Sequence, residues 1–252
     1  MTRMEKDRDI AYLRLQADWT RPMRIHLYRR IALTARRRVL DIGCADGYIT
    51  AEIAARGGGE VVGIDICPER IAAARQKHSG ISFQTADAHD LPFDDGAFDA
   101  VITNFTLMWT KRPDRVLAEA KRVLAPGGAF LASGEPDYGG RIDEPPSLTL
   151  LADAWVGSIE ADGGDPFFGR RLKGLLMGVR FGSVEVGVAP SIWEGAAAGE
   201  LDTYLCSLRH FLAGRTGGAF DIEETIDREK EAARSGTRLV FLPIFWGMGE
   251  KG

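Results

Sequence analysis

Short apolar runs alternate with amphipathic stretches through the first half of the chain, the pattern of parallel strands joined by crossover helices. Runs at 38–42, 60–65, 81–85, 98–103 and 129–134 predict strands. Between them, 68–78 opens with Pro68 in its first turn and stays alanine-rich. The segment 113–124 places Val116, Leu117, Ala120, Val123 and Leu124 on one helical face. Pro126-Gly127-Gly128 then stops that helix and turns the chain into the fifth strand. The order predicts a doubly wound α/β domain. Beyond Gly134 the pattern changes to a Pro- and Gly-rich loop through Pro146, followed by helices at 148–160 and 168–179. Alternation around Val184–Val188 predicts a half-exposed strand, and 190–236 reads as helical and polar. The last apolar run, 237–246, predicts one long strand in which Pro243 favours an edge or a bulge. The whole reads as a single domain: a helical arm (1–37), a core (38–134), a loop and helical insertion (135–179), a helical lid (190–236) and a last strand (237–247).

A length of 252 residues with 45% hydrophobic composition suits one large core. No apolar run reaches eighteen residues and the start is charged, so a soluble, cytoplasmic protein without a membrane partner is expected. Cys44, Cys67 and Cys206 lie far apart, which indicates neither a metal site nor a disulfide framework. The net charge of -4 hides an asymmetry: residues 1–38 hold eleven Lys or Arg against four acids. Such an arm could neutralise RNA phosphates. The preferred expectation is that Arg29, Arg30, Arg36, Arg37 and Arg38 form the solvated face of a helix, because no aromatic and basic interleaving follows.

The chemistry concentrates at the end of the first strand, where Val39-Leu40-Asp41-Ile42 breaks into Gly43-Cys44-Ala45-Asp46-Gly47. In an open α/β sheet a ligand lies beyond the carboxyl ends of the strands, where the strand order reverses. Asp65 closes the second strand, where a carboxylate can accept from both hydroxyls of a ribose, and Asp87 follows the third. Dinucleotide sites need a G-x-G-x-x-G turn and a helix N-terminus holding pyrophosphate. Here the spacing is Gly43-x-Ala45-x-Gly47, with Asp46 set against an anion. Three acids at successive strand ends describe a nucleoside without phosphate.

Four segments together resemble the class I S-adenosylmethionine-dependent methyltransferases: D-I-G-C-A-D-G from Asp41, V-G-I-D-I-C-P-E-R from Val62, A-D-A-H-D-L-P-F-D-D-G-A-F-D from Ala86, and V-L-A-P-G-G from Val123. The resemblance covers roughly 39–132. It implies a Rossmann-like, mostly parallel seven-stranded sheet with an antiparallel last strand and a helical lid. It also implies methyl transfer from S-adenosylmethionine, leaving S-adenosylhomocysteine, to an oxygen, nitrogen or sulfur atom of a small-molecule acceptor by in-line displacement. Asp41, Gly43, Ala45 and Gly47 would surround the methionine part, Asp65 and Ile66 the ribose side, Asp87 and the Ala88 N–H the adenine. Asn104 and Phe105 would face the sulfonium. Tyr12, Arg14 or Gln16 could hold the cofactor carboxylate, with Arg14 taken as the candidate. Ala45 departs from the family's usual glycine and is tolerated if its φ is negative.

Acceptor contacts are expected from the loop 135–141, from Trp109, and from Trp193, Tyr204 and the residues near His210. Glu135 and Asp137 could orient or deprotonate an acceptor, Tyr138 could donate to it, and Arg141 could bind a carboxylate. Equally, Asp137 and Arg141 could pair to hold the loop, while Trp109 and Trp193 could be packing residues. Of four histidines, only His210 falls in the expected lid, and it completes the candidate catalytic set. An RNA methyltransferase using the basic arm and a non-catalytic cofactor-binding partner protein remain as alternatives; a monomer or homodimer is expected.

Overall fold

A computed structural model describes residues 3–57, 59–189, 192–193, 199–212 and 221–252, the side chains of 3–9, 210 and 211 excepted. In chain order the elements are α1 (Arg3–Arg30), β1 (Arg38–Ile42), α2 (Tyr48–Arg56), β2 (Glu60–Asp65), α3 (Pro68–Lys77), β3 (Ser82–Thr85), β4 (Phe98–Thr103), α4 (Pro113–Val123), β5 (Leu124–Pro136), β6 (Ile142–Glu144), α5 (Thr149–Ala161), α6 (Leu172–Gly178), β7 (Gly182–Ala189), β8 (Ile192–Trp193), α7 (Glu200–Leu212), α8 (Ile222–Arg234), β9 (Leu239–Phe241) and β10 (Ile244–Glu250). The chain divides into two compact units. The larger holds Thr20–Pro136, Phe168–Ala189 and Ile244–Gly252; the smaller holds the chain up to Trp19, Asp137–Phe167 and Pro190–Pro243.

The larger unit is built on a seven-stranded sheet of order β3-β2-β1-β4-β5-β10-β7. The first five strands run parallel, and β10 is antiparallel to both β5 and β7. Strands buried on both faces read as continuous apolar runs, which is why β1, β2 and β4 begin and end where their hydropathy does. The last turns of α1 bring Leu27, Tyr28 and Ile31 onto Val39, Ile53, Ile102 and Leu131. Pro113 opens α4, and Val116, Leu117, Ala120 and Val123 form its buried stripe. Of the basic arm, Arg29, Arg30 and Arg37 are exposed and Arg36 and Arg38 half-buried, whereas Arg24 turns inward. Arg24 is fully buried, forks onto both oxygens of Glu52 at 3.1 Å and donates to Thr20 Oγ1 at 2.6 Å. Arg30 pairs with Glu185, and Arg36 donates to the carbonyls of Ile31 and Gly127. The predicted helix 168–179 is a 3-10 turn, Phe168–Arg171, leading into α6.

The smaller unit carries a three-stranded sheet of order β6-β9-β8, antiparallel throughout, with α5, α7 and α8. The Asp221 side chain caps α8 by accepting from the N–H groups of Glu223 and Glu224. The single strand expected at 237–246 is two strands: β9 belongs to the small sheet and β10 to the large one. The break falls at Leu242–Pro243, where proline has no N–H for a ladder and its carbonyl instead accepts from the Asp137 N–H at 3.0 Å. Of the expected helical stretch 190–236, residues 190–191, 194–198 and 213–220 lie outside the described residues.

Candidate functional site

In the larger unit the strand order reverses between β1 and β4, and the loops beyond their carboxyl ends carry the predicted cofactor residues. The turn after β1 holds three left-handed residues: Gly43 (φ 79), Ala45 (φ 47) and Gly47 (φ 82). A Cβ on Gly43 would meet Thr106 Oγ1, and one on Gly47 would lie 2.7 Å from the Phe83 ring, so neither position admits a side chain. The negative φ on which tolerance of Ala45 was conditioned is not what forms. Ala45 takes the conformation that favours glycine, and in it the Ala45 N–H points to Asp65, donating to Oδ2 at 3.0 Å.

Asp65 is buried and also accepts from the Cys67 N–H at 2.9 Å through its other oxygen. Two backbone donors fix the carboxylate while each oxygen keeps a lone pair for a hydroxyl. Next to it, Ile66 is 70% exposed, an apolar side chain presented at a strand end. Asp41 lies under the turn and accepts from Thr50 Oγ1 at 2.6 Å. Burial pushes its carboxyl up to about 6 against the pull of that hydrogen bond. Asp46 is matched by Lys77 Nζ at 2.8 Å, so its charge alone does not exclude a phosphate; that exclusion rests on Asp65, Asp87 and the missing glycine spacing. Asp87 receives the N–H and ring Nδ1 of His89 on one oxygen, and the backbone donor holds its carboxyl below the usual range. Ala88 follows it in the same turn.

Past β4, Asn104 Oδ1 accepts from Ser133, and Phe105 is left-handed (φ 49), a conformation rare for an aromatic residue. Glu135, fully buried near the end of β5, holds this loop. Its Oε1 accepts from the N–H of Thr106 at 3.2 Å and of Leu107 at 2.9 Å, and its Oε2 from Met108 at 3.1 Å. Burial raises its carboxyl to about 7 even against those three donors. Glu135, expected to orient or deprotonate an acceptor, thus has both oxygens engaged by backbone N–H groups. Trp109, two residues past Leu107, is 46% exposed.

The smaller unit contains a cavity of about 160 Å³, lined by residues from α1, α5, α7, β8, β9 and the loop after β5. Of the predicted acceptor residues, Tyr138, Arg141, Trp193 and Tyr204 line it together, as do Tyr12 and Gln16. Trp155 and Trp19 also line it and were not foreseen; a tryptophan in each of two helices was the available signal. Trp155 Nε1 donates to Tyr138 Oη at 2.9 Å, Tyr12 donates to the same oxygen, and Gln16 donates to Tyr12 at 3.2 Å. Asp137 and Arg141 do not pair with each other. Asp137 accepts from the Gly139 N–H at 3.1 Å, while Arg141 forks onto Asp143, both side chains buried, and donates to Tyr204. Burial keeps Tyr12, Tyr138 and Tyr204 protonated. Arg14 lies on the stretch of α1 that belongs to this unit. His210 falls on α7, its side chain outside the described residues. Among the described residues no cluster has metal-ligating composition, and no helix is long and apolar enough to cross a membrane.

A family model described as a methyltransferase domain matches residues 40–132. The chain is 32% identical over 203 residues to trans-aconitate 2-methyltransferase of Methylobacterium radiotolerans, spanning 80% of this chain and 72% of that one. It is 34% identical over 172 residues to a fatty-acid O-methyltransferase of Mycolicibacterium smegmatis, spanning 61% and 62%. Among solved structures, the Haemonchus contortus phosphoethanolamine N-methyltransferase 2 in complex with phosphomonomethylethanolamine and S-adenosylhomocysteine matches with a TM-score of 0.58 at 16% identity. The match covers 92% of this chain and 53% of that one, a likeness of fold.

Proposed function

We propose, from the premise that this chain belongs to the class I S-adenosylmethionine-dependent methyltransferase family, that its larger unit holds S-adenosylmethionine at the carboxyl ends of β1, β2 and β4 for transfer to a small acceptor. The observation that carries this is the Asp65 carboxylate: two N–H groups fix it beside the left-handed turn, with lone pairs left for a pair of hydroxyls. Asp65 would accept from the ribose, exposed Ile66 would cover the adenine face, and Asp87 with the Ala88 N–H would read the adenine edge. Gly43, Ala45 and Gly47 would let the backbone approach the methionine part, with Asp41 buried beneath, and Asn104 and Phe105 would border the reacting end. When bound, the cofactor supplies a methyl group on a positively charged sulfur, which needs little covalent help from the protein. What this chain adds is orientation: Glu135 fixes the Asn104–Met108 loop through three N–H groups, and a group so fixed loses no time to reorganisation. Acceptors with a carboxylate oxygen, a hydroxyl or an amine are all compatible with in-line displacement. Calorimetric titration with S-adenosylhomocysteine tests the assignment. Asp65→Ala is expected to weaken binding ten- to hundredfold, about 1.5–3 kcal/mol, because hydrogen bonds to a charged group are lost. An unchanged affinity would overturn it.

A further inference from the structure

The cavity in the smaller unit is walled by aromatic rings: Tyr12, Trp19, Tyr138, Trp155, Trp193 and Tyr204 all line it. Its volume of about 160 Å³ is close to the ~150 Å³ of a cavity that takes one benzene ring. Trp193 stands 4.7 Å from Tyr204 at 86° and 6.3 Å from Trp19 at 46°, while Tyr12 and Trp155 stand 5.3 Å apart at 68°. Rings tilted against one another turn their faces in several directions, and each face carries the negative end of a quadrupole. Such a wall attracts positive charge from more than one side. Its hydroxyls are already tied together, since Gln16 donates to Tyr12 while Tyr12 and Trp155 both donate to Tyr138. A guest rich in hydrogen-bonding groups is not what this wall asks for.

The fixed charges point the same way. Arg141, the cation among the described lining residues, is forked onto Asp143 with both side chains buried. Arg238 stacks on the Trp193 ring at 4.3 Å without lining the cavity, and Glu229 matches it at 2.6 Å. Each guanidinium is thus neutralised by its own carboxylate, which leaves little positive field to repel a cation. Asp18, an exposed acid of the wall, is engaged within the chain, and its charge is not needed. Glu200 differs. It lines the cavity half-buried in the first turn of α7, and among the described residues its carboxylate has neither a hydrogen-bond nor an ion-pair partner. An anionic guest would meet that carboxylate with no unmatched cation to answer it. A neutral guest would fill the volume and leave the carboxylate unpaired. A cation satisfies both the rings and Glu200. Between cations, a primary ammonium is strongly hydrated and brings N–H donors that rings answer poorly. A methylated ammonium spreads its charge beneath apolar methyl groups and has few or no donors to satisfy.

We infer that the smaller unit binds a small methylated ammonium ion in this cavity, with the rings as its cage and Glu200 as its counter-ion. This binding belongs to the smaller unit alone and stands whether or not the larger unit holds S-adenosylmethionine. Three probes of one shape separate the charge classes in calorimetric titrations of the full chain at about pH 7: choline (cation), 3,3-dimethylbutan-1-ol (its neutral isostere) and 3,3-dimethylbutanoate (anion). Choline is expected to bind at least about tenfold tighter than the alcohol, and the anion weakest of the three. Glu200→Gln is expected to cut choline's advantage over the alcohol about fivefold or more, since it removes the charge and keeps the shape. Trp19→Leu is expected to cut it in the same sense, because leucine keeps apolar contact and loses the ring face. An unchanged near-ultraviolet circular dichroism spectrum shows that the Glu200→Gln protein keeps its aromatic packing. Alcohol or anion binding as tightly as choline, full choline affinity in a folded Glu200→Gln protein, or no saturation by choline would each overturn the assignment.

Discussion

The two units build their candidate surfaces by opposite means. In the larger one the working parts are backbone and strand ends: left-handed turn residues, N–H groups aimed at Asp65 and Glu135, and carboxylates placed by the sheet. In the smaller one they are side chains, aromatic rings contributed by α1, α5, α7 and β8 and held by two buried ion pairs. A surface made of backbone can change little without breaking the sheet that makes it. A surface made of side chains can be rewritten residue by residue on the same scaffold, which is the division expected where one ligand is common to a family and the other is not.

The sharpest break in that contrast would come from the buried pair in the smaller unit. Arg238 donates to Glu229 at 2.6 Å and to the Trp193 carbonyl at 3.0 Å while its guanidinium stacks on the Trp193 ring, so one pair sets an aromatic wall. Glu229→Ala strands a buried guanidinium and is expected to cost about 3–5 kcal/mol. Denaturant unfolding followed by tryptophan fluorescence reads this, since Trp19, Trp155 and Trp193 all belong to the smaller unit. The double change Glu229→Leu with Arg238→Met should recover most of the loss, because an apolar pair of similar volume avoids the desolvation that the ions incur. A single-variant loss below about 1 kcal/mol would mean the pair is solvated and sets nothing.

How far each unit could be read beforehand follows from the same contrast. The backbone-made site is local: β1, the turn and the start of α2 are contiguous, and glycines, acids and apolar runs announce them in order. Buried parallel strands leave an unbroken hydrophobic signature, and so the limits of β1, β2 and β4 agreed with the pattern, whereas β5, expected at 129–134, runs from Leu124 to Pro136 because Pro126-Gly127-Gly128 is part of the strand rather than a turn into it. The cavity is assembled from segments more than two hundred residues apart, Tyr12 to Leu242, and strands as short as β8 carry no periodicity to detect. Trp193, Tyr204, Tyr138 and Arg141 were legible one at a time, but their meeting was not. Two further features lie outside what a linear sequence can show. Glu135 was expected to orient or deprotonate an acceptor, and nothing along the chain reveals three N–H groups converging on it. Ala45 was held to be tolerated at negative φ, and the turn places it at positive φ.

Glu135 makes the backbone-built region sensitive to pH in a way the aromatic region is not. Its folded-state value of about 7 lies above the ordinary value for a glutamate, so the folded protein keeps a proton that the unfolded chain releases. Stability therefore falls as pH rises from about 4.5 to about 7 and levels off above that, by about 3 kcal/mol across the window. Asp41, raised to about 6, adds a slope of the same sign between about 4 and 6. Glu135→Gln should remove its part of the slope while shifting the whole curve by a constant, because one amide group cannot accept from all three N–H groups. Thermal unfolding midpoints measured from about pH 4 to pH 8 decide it, and parallel curves for the two proteins would show that Glu135 does not titrate in this window.

The smallest expected effect isolates the turn itself. Ala45 holds φ at 47° to aim its N–H at Asp65, and an alanine in that region carries a strain that glycine does not. Glycine also gains freedom in the unfolded chain, which offsets part of the relief, so Ala45→Gly is expected to stabilise the fold by about 1 kcal/mol or less. The hydrogen bond to Asp65 survives the change, since it is made by the backbone, and S-adenosylhomocysteine affinity should stay within about twofold. If the variant instead lost affinity tenfold, the methyl group would be a contact of the bound molecule in its own right. One position of the larger unit would then be side-chain-made after all, and the line drawn between the two units would have to pass through this turn.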